Sequence, residues 1–373
     1  MSVSNKKFME KLLKLNGAVT APKNIHDYVI RSPSPSLNFC FGNGHGLPAG
    51  FSIQLYGPPK AGKSVIANAM AGQLHRDDPE AWVIKFNTEF REQGQLTEDQ
   101  ARIWGIDRDR YVAYETNRPD EIFDRIEKEF AALADDGMKL RLVIIDSVTQ
   151  IQGRRSMNAD TIMTQQMGDN ALTIQEGLKR ILPVQRKIGF GLIITAHVRA
   201  EFDQTEQMRG NKFRPATSYG AQHYGEYNLW VEANRNKEGR EDMAGHSFTS
   251  DVVEDLAGRG ERLAHKIRVR MKDSSLGPKD RSGEFTLDYR HGIINVHEEV
   301  FRLGTGWNII QKPNNVTYQF DGKDYRGKIA ILEALRIDPT LQEKVLAELR
   351  KRDYSGDLGV SNPDDEKISD AEE

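Results

Sequence analysis

A chain of 373 residues, 38% of them hydrophobic, is long enough for one large α/β domain and a smaller one. A single cysteine, Cys40, excludes an internal disulfide, and no apolar run approaches the roughly 18 residues of a membrane span. The net charge of −3 is unevenly spread: residues 361–373 hold Asp364, Asp365, Glu366, Asp370, Glu372 and Glu373 against Lys367 alone, a net −5 that leaves the remainder at +2. An acidic end on a slightly basic body either competes with nucleic acid for a basic surface or serves as a solubilising, disordered tail. The N-terminus, Met1-Ser2-Val3-Ser4-Asn5-Lys6-Lys7-Phe8, lacks the apolar centre of a signal peptide.

Residues 6–15 form an amphipathic helix candidate, with Phe8, Leu12, Leu13 and Leu15 apolar, and a Pro/Gly/Ser-rich stretch follows over 21–50. Phe51-Ser52-Ile53-Gln54-Leu55-Tyr56 reads as a short buried strand, and the run from Val65 to Ala71 as a helix. Between them lies Gly57-Pro58-Pro59-Lys60-Ala61-Gly62-Lys63-Ser64, which fits G-x-x-x-x-G-K-[ST] in the strand–loop–helix setting that this motif requires. Further strands are expected at 81–86, 142–145 and 191–195, with helices at 121–133 and 175–186, the latter interrupted by Pro183. The alternation predicts an α/β fold with a mostly parallel sheet flanked by helices. After Asn234 the stretch 235–264 is polar and charged, with one helix candidate over 252–256. Strands resume at 266–271 and 284–289, and 298–352 reads as a helix, short strands and two helices, a small second domain.

Each fixed position of the glycine-rich loop has a physical task. The glycines let the chain curl around an anion, and backbone N–H groups at the helix start bind phosphate. Pro58 and Pro59 have no N–H, so donors come from Lys60 onward, through Ala61, Gly62 and Lys63 to Ser64 and Val65. Lys63 is placed for the β- and γ-phosphates of ATP and Ser64 for Mg²⁺. Asp146, at the carboxyl end of the apolar run Leu142-Val143-Ile144-Ile145, is placed for the shell of the same Mg²⁺. Glu89 follows the strand at 81–86; it either orients and deprotonates a water or is an ordinary loop or N-cap carboxylate. His197, after the strand at 191–195, is either a γ-phosphate contact or a loop residue. The aperiodic stretch 199–224 carries Arg199, Arg209, Lys212, Phe213 and Arg214, then Tyr219 and Tyr224; a second polar loop at 152–170 carries Arg154 and Arg155. Cations interleaved with aromatics suit a single strand of nucleic acid, the alternative being two solvated loops.

These residues resemble the RecA family of recombinases, including its UvsX-like phage members, over most of the chain. Ser32-Pro33-Ser34-Pro35-Ser36-Leu37-Asn38 and Gly46-Leu47-Pro48-Ala49-Gly50 are similar to the family's approach to its phosphate loop. Asn87-Thr88-Glu89-Phe90 resembles the strand end bearing its catalytic glutamate, Ile145-Asp146-Ser147 its magnesium strand, and Thr195-Ala196-His197 its γ-phosphate sensor. The loops after Ser147 and His197 fall at its two DNA-binding loops. Arg270-Met271-Lys272-Asp273-Ser274 is similar to the segment whose cations reach a neighbouring subunit's ATP, which gives Lys272 a catalytic role in trans. The stretch from Gly306-Trp307-Asn308 to Gly327-Lys328 resembles the small C-terminal domain, which an acidic tail follows there.

The resemblance implies a RecA-like P-loop ATPase core at 31–297, a subunit-packing helix and linker at 1–30, a C-terminal α/β domain at 298–355 and a tail at 356–373. It implies a DNA-dependent ATPase that uses ATP and Mg²⁺ and forms a helical filament on single-stranded DNA. That filament would pair with double-stranded DNA in recombination and repair, with single-strand-binding and loader proteins as partners. The setting is the cytoplasm of a bacterium, or of a host in which a phage encodes the protein. Two rivals share the motifs: a ring-forming helicase or motor, and a DNA-binding mediator that uses ATP only as a switch.

Overall fold

The computed structural model describes residues 28–42, 46–90, 96–154, 168–202, 208, 213–217, 224–233, 264–275, 277–288 and 290–355. The helix expected at 6–15, Arg155, Arg209, Lys212, Tyr219, the helix candidate at 252–256 and the acidic tail lie outside the described residues.

In chain order the strands are β1 (Val29–Ile30), β2 (Leu47–Pro48), β3 (Ser52–Tyr56), β4 (Trp82–Asn87), β5 (Tyr111–Glu115), β6 (Leu140–Asp146), β7 (Gly191–Ala196), β8 (Val198–Ala200), β9 (Phe213–Pro215), β10 (Tyr227–Ala233), β11 (Ala264–Ser274), β12 (Ser282–Asp288), β13 (Gly292–Ile294), β14 (Thr317–Phe320) and β15 (Lys323–Arg326). Among the described residues, nine strands make one sheet in the order β13-β12-β11-β10-β3-β7-β6-β4-β5. From β10 to β5 every pairing is parallel, and β11, β12 and β13 extend the sheet antiparallel. The fold is thus α/β with a mostly parallel central sheet, as the alternation predicts.

The continuous apolar runs follow from burial on both faces. In β6, Leu142 and Ile144 join the core on one face, where Ile66, Ala67, Met70 and Leu74 of the helix Lys63–Asp77 pack. Val143 and Ile145 join the core on the other, against Ile122, Phe123 and Ile126 of one helix and Ile174, Leu178 and Ile181 of another. The first of those helices has π geometry over Asp120–Phe130 and α geometry over Ala131–Asp135. The second, Asp169–Ile188, runs through Pro183 without the expected interruption. Burial of its Ile174, Leu178 and Ile181 outweighs one missing helical hydrogen bond. The stretch 199–224 is also not loop throughout. Its start pairs with residues 213–215 as the antiparallel ladder β8–β9, with Arg199 opposite Arg214.

The C-terminal part follows the expected order: helix Val296–Gly306, hairpin β14–β15, then helices Lys328–Ile337 and Pro339–Ser355. Asp321 and Gly322 close the hairpin, both at positive φ (52° and 71°), as a tight turn between twisted strands demands. Val300, Ile310, Ile331, Leu335 and Val345 build a separate core that takes in Phe39 of the helix Pro35–Cys40. Arg281 lies over the Phe39 ring and donates to Asp353 at 2.9 Å. Cys40 in the same short helix is 1% exposed, and burial pushes its thiol up to about 12.

Glu299 joins these two regions. It is 2% exposed, and its Oε2 accepts from Ser34 Oγ at 2.6 Å and from the Ser36 amide at 3.0 Å. Burial pushes its carboxyl up to about 7, with the Ser34 and Ser36 hydrogen bonds and the Arg302 charge opposing. From an ordinary value of 4.5 to about 7, the folded chain keeps a proton that the unfolded chain has lost. Stability therefore falls as pH rises through that window. Glu299→Gln is expected to flatten that decline and to be more stable than the parent above pH 7 by on the order of 3 kcal/mol, since each pKa unit is worth about 1.4 kcal/mol. Thermal melts across the window check this; an unaltered slope removes Glu299 from the account.

Candidate functional site

The carboxyl ends of β3, β4, β6 and β7 lie side by side, and each carries one of the expected groups. The glycine-rich loop leaves β3 and enters the helix Lys63–Asp77. Only glycine fits its first position, because a Cβ on Gly57 would lie 1.9 Å from the Val231 carbonyl oxygen of β10. Gly62, the N-cap, has φ of 102°, a left-handed conformation, and no side chain caps the helix there. The first N–H groups thus receive no side-chain oxygen from the N-cap, which suits phosphate. Lys63, 9% exposed, donates to the carbonyls of Gly57 (2.8 Å) and Pro58 (2.9 Å), so its ammonium sits inside the loop.

Asp146 at the end of β6 is 8% exposed and closely held. Its Oδ1 accepts from Thr195 Oγ1 at 2.5 Å and its Oδ2 lies 3.3 Å from Lys85 Nζ. Burial alone would push its carboxyl up, but the Lys85 charge and hydrogen bonds from Thr195, Ser64 and Lys85 hold it below the usual range. The Ser64 hydroxyl and Asp146 carboxylate thus meet. Thr88 locks the next residue: its Oγ1 donates to the Ser147 carbonyl (2.6 Å) and accepts from the Ser147 amide (2.8 Å). The Asp146–Ser147 peptide is cis. A hydroxyl and an ionised carboxylate are oxygen ligands that fit Mg²⁺, and the helix start beside them suits the nucleotide phosphates that would carry it. No cluster of three or more His, Cys, Asp or Glu among the described residues offers an all-protein cage instead.

Glu89 and His197 also come together, with His197 Nε2 2.9 Å from Glu89 Oε1. Beyond His197 the chain turns at once into β8, and the His197 carbonyl accepts from the Ala216 amide at 2.8 Å. The Glu89–His197 contact is therefore directly attached to the β8–β9 ladder. On that ladder Arg199 donates to the Thr217 carbonyl at 3.3 Å, Arg214 lies 3.7 Å from Glu201, and Phe213 stacks on Trp230 at 6.1 Å between ring centres. Arg154 is exposed, with its amide donating to Thr173 Oγ1 and its guanidinium 3.8 Å from Glu176. Lys272 lies on β11. It lines a cavity of about 720 Å³ with Arg268, Arg270, Trp230, Phe213 and Arg302.

Sequence reasoning passed over Lys85, Thr88 and Thr195. Lys85 left a signal: a lysine in the apolar run Trp82-Val83-Ile84-Lys85-Phe86 is buried and needs a partner. The threonines left none, since their role depends on which strands become neighbours.

A glycine-rich loop, a Ser–Asp pair and a carboxylate on adjacent strands of a mostly parallel sheet define an α/β protein with a RecA-like core. Comparison with known proteins points the same way. The chain is 24% identical to Protein RecA of Thermus thermophilus over 362 residues, covering 94% of this chain and 96% of that one. It is 21% identical to Protein RecA of Campylobacter hominis over 337 residues (90% and 87%). It is 20% identical to the mitochondrial DNA repair protein recA homolog 3 of Arabidopsis thaliana over 336 residues (90% and 70%). No protein-family model matches the chain.

Proposed function

We propose that this chain is a RecA-family recombinase, a DNA-dependent ATPase that coats single-stranded DNA as a helical filament and exchanges strands with homologous duplex in recombination and repair. The observation that carries the reading is the attachment of the Glu89–His197 contact to β8–β9. It gives a group beside the phosphate loop a covalent route to a segment bearing Arg199, Phe213 and Arg214.

In this reading Lys63 and the N–H groups from Lys60 to Val65 bind the phosphates of ATP. Ser64 and Asp146 hold Mg²⁺, which when bound screens phosphate charge and orients the γ-phosphate. Glu89 accepts a proton from, or aligns, the attacking water, and His197 passes the state of the site to the ladder. Arg154, Arg155, Arg199, Arg209, Lys212, Phe213 and Arg214 supply DNA contacts. Lys272 acts on the site of the adjacent subunit. The division into 1–30, 31–297, 298–355 and 356–373, the cytoplasmic setting, and single-strand-binding and loader proteins as partners belong to the same reading.

Negative-stain images of the purified chain with ATP, Mg²⁺ and single-stranded DNA test it, together with a strand-exchange assay on homologous duplex. Helical filaments and joint molecules are expected. Closed rings would favour a helicase or motor; ATP-dependent DNA binding without turnover would favour a switch.

A further inference from the structure

Lys85 stands in β4 opposite Ile144 of β6, and Asp146 lies two residues further along the neighbouring strand. Both side chains leave the sheet on the face covered by the helix Lys63–Asp77, where Val83, Leu142 and Ile144 join one core. The Lys85 side chain is 3% exposed and that of Asp146 11%, with Nζ and Oδ2 3.3 Å apart. An ammonium this deep is kept only against an opposite charge, and here that charge is the carboxylate assigned to the metal. Thr195 secures Oδ1 from β7 on the other side. The carboxylate is thus gripped from both neighbouring strands, and its remaining directions open toward Ser64.

We propose that Lys85 is a positioning residue for the Mg²⁺ site, fixing Asp146 Oδ2 so that the carboxylate faces Ser64. The proposal rests on the reading of Ser64 and Asp146 as the metal-holding pair. Lys85 touches neither nucleotide nor water in this scheme; it acts through Asp146. Groups that orient a metal-holding side chain typically govern metal affinity by 10- to 100-fold when removed.

The test uses the full chain and binding of a fluorescent ATP analogue at graded Mg²⁺, with no turnover required. In Lys85→Met the Mg²⁺ midpoint for tight nucleotide binding is expected to rise about tenfold, while binding in EDTA stays within about twofold, because the loop and Lys63 are untouched. Asp146→Asn should raise the midpoint on its own, and adding Lys85→Met to it should raise the midpoint no further, since the residue it acts through is already altered. An unshifted midpoint in Lys85→Met with a shifted one in Asp146→Asn overturns the positioning role and leaves the metal assignment standing. An unshifted midpoint in Asp146→Asn overturns both. Equal losses with and without Mg²⁺ in Lys85→Met mark a merely structural role and also overturn it. Should Lys85→Met fail to fold because Asp146 is left buried without a counter-charge, Lys85→Arg, which keeps the charge but displaces it from Asp146 Oδ2, takes its place: a raised midpoint with unaltered binding in EDTA supports the positioning role, and an unshifted midpoint overturns it.

Discussion

Lys63→Ala is expected to abolish measurable ATP hydrolysis, a fall of at least about 10³-fold in turnover with single-stranded DNA present. The ammonium lies inside the loop, bonded to the Gly57 and Pro58 carbonyls, at the start of a helix with no side-chain cap. In the proposed reading this charged donor meets the negative charge of the phosphates. Removing even one such donor from a reacting oxyanion costs about 10²- to 10³-fold. Lys63→Met keeps the stem and much of the packing and should be as inactive as the alanine variant, which separates lost charge from a collapsed loop. Undiminished turnover in either would remove this loop from the chemistry.

Glu89→Gln is expected to slow hydrolysis by roughly 10²-fold or more, the range for a lost general base. The amide retains a carbonyl acceptor for His197 Nε2, now 2.9 Å from the carboxylate, so the contact leading to β8–β9 should persist. Nucleotide-stabilised binding to single-stranded DNA should therefore survive while turnover falls. Filter binding with ATP, beside a phosphate-release assay, distinguishes the cases. If turnover stays near the parent's, another group aligns the water. If DNA binding falls with it, Glu89 serves mainly to hold His197.

The site was legible where local chemistry alone dictates residue type. Gly57 and Gly62 are there because a Cβ would strike Val231 or meet a left-handed backbone, and this constraint shows in the sequence as a spaced motif. Asp146 stands out only in company: apolar runs ending in an acid are common, and it is the glycine-rich loop upstream that singles this one out. The order of strands was less legible. β5 is short and buries only Tyr111; β10, next to the central β3, follows an aperiodic stretch and was not anticipated. The three-residue strands β8 and β9 are held by each other rather than by any periodicity. Pro183 misled because its local cost is real, yet the packing of Ile174, Leu178 and Ile181 exceeds it. Lys85 and Thr195 acquire meaning only when β4, β6 and β7 become neighbours.

Cys40 has a consequence for how the protein meets oxidants. Peroxides and alkylating reagents attack the thiolate, and a thiol pushed up to about 12 is almost entirely protonated at neutral pH. With its Sγ donating to the Ser36 carbonyl at 3.3 Å within the main core, the only sulfhydryl in the chain is chemically silent while the fold holds. A maleimide dye should therefore leave the native protein unlabelled. One cysteine introduced at Met208, 87% exposed, would then be the sole attachment point, giving an optical reporter in the chain between β8 and β9 without first removing a native thiol.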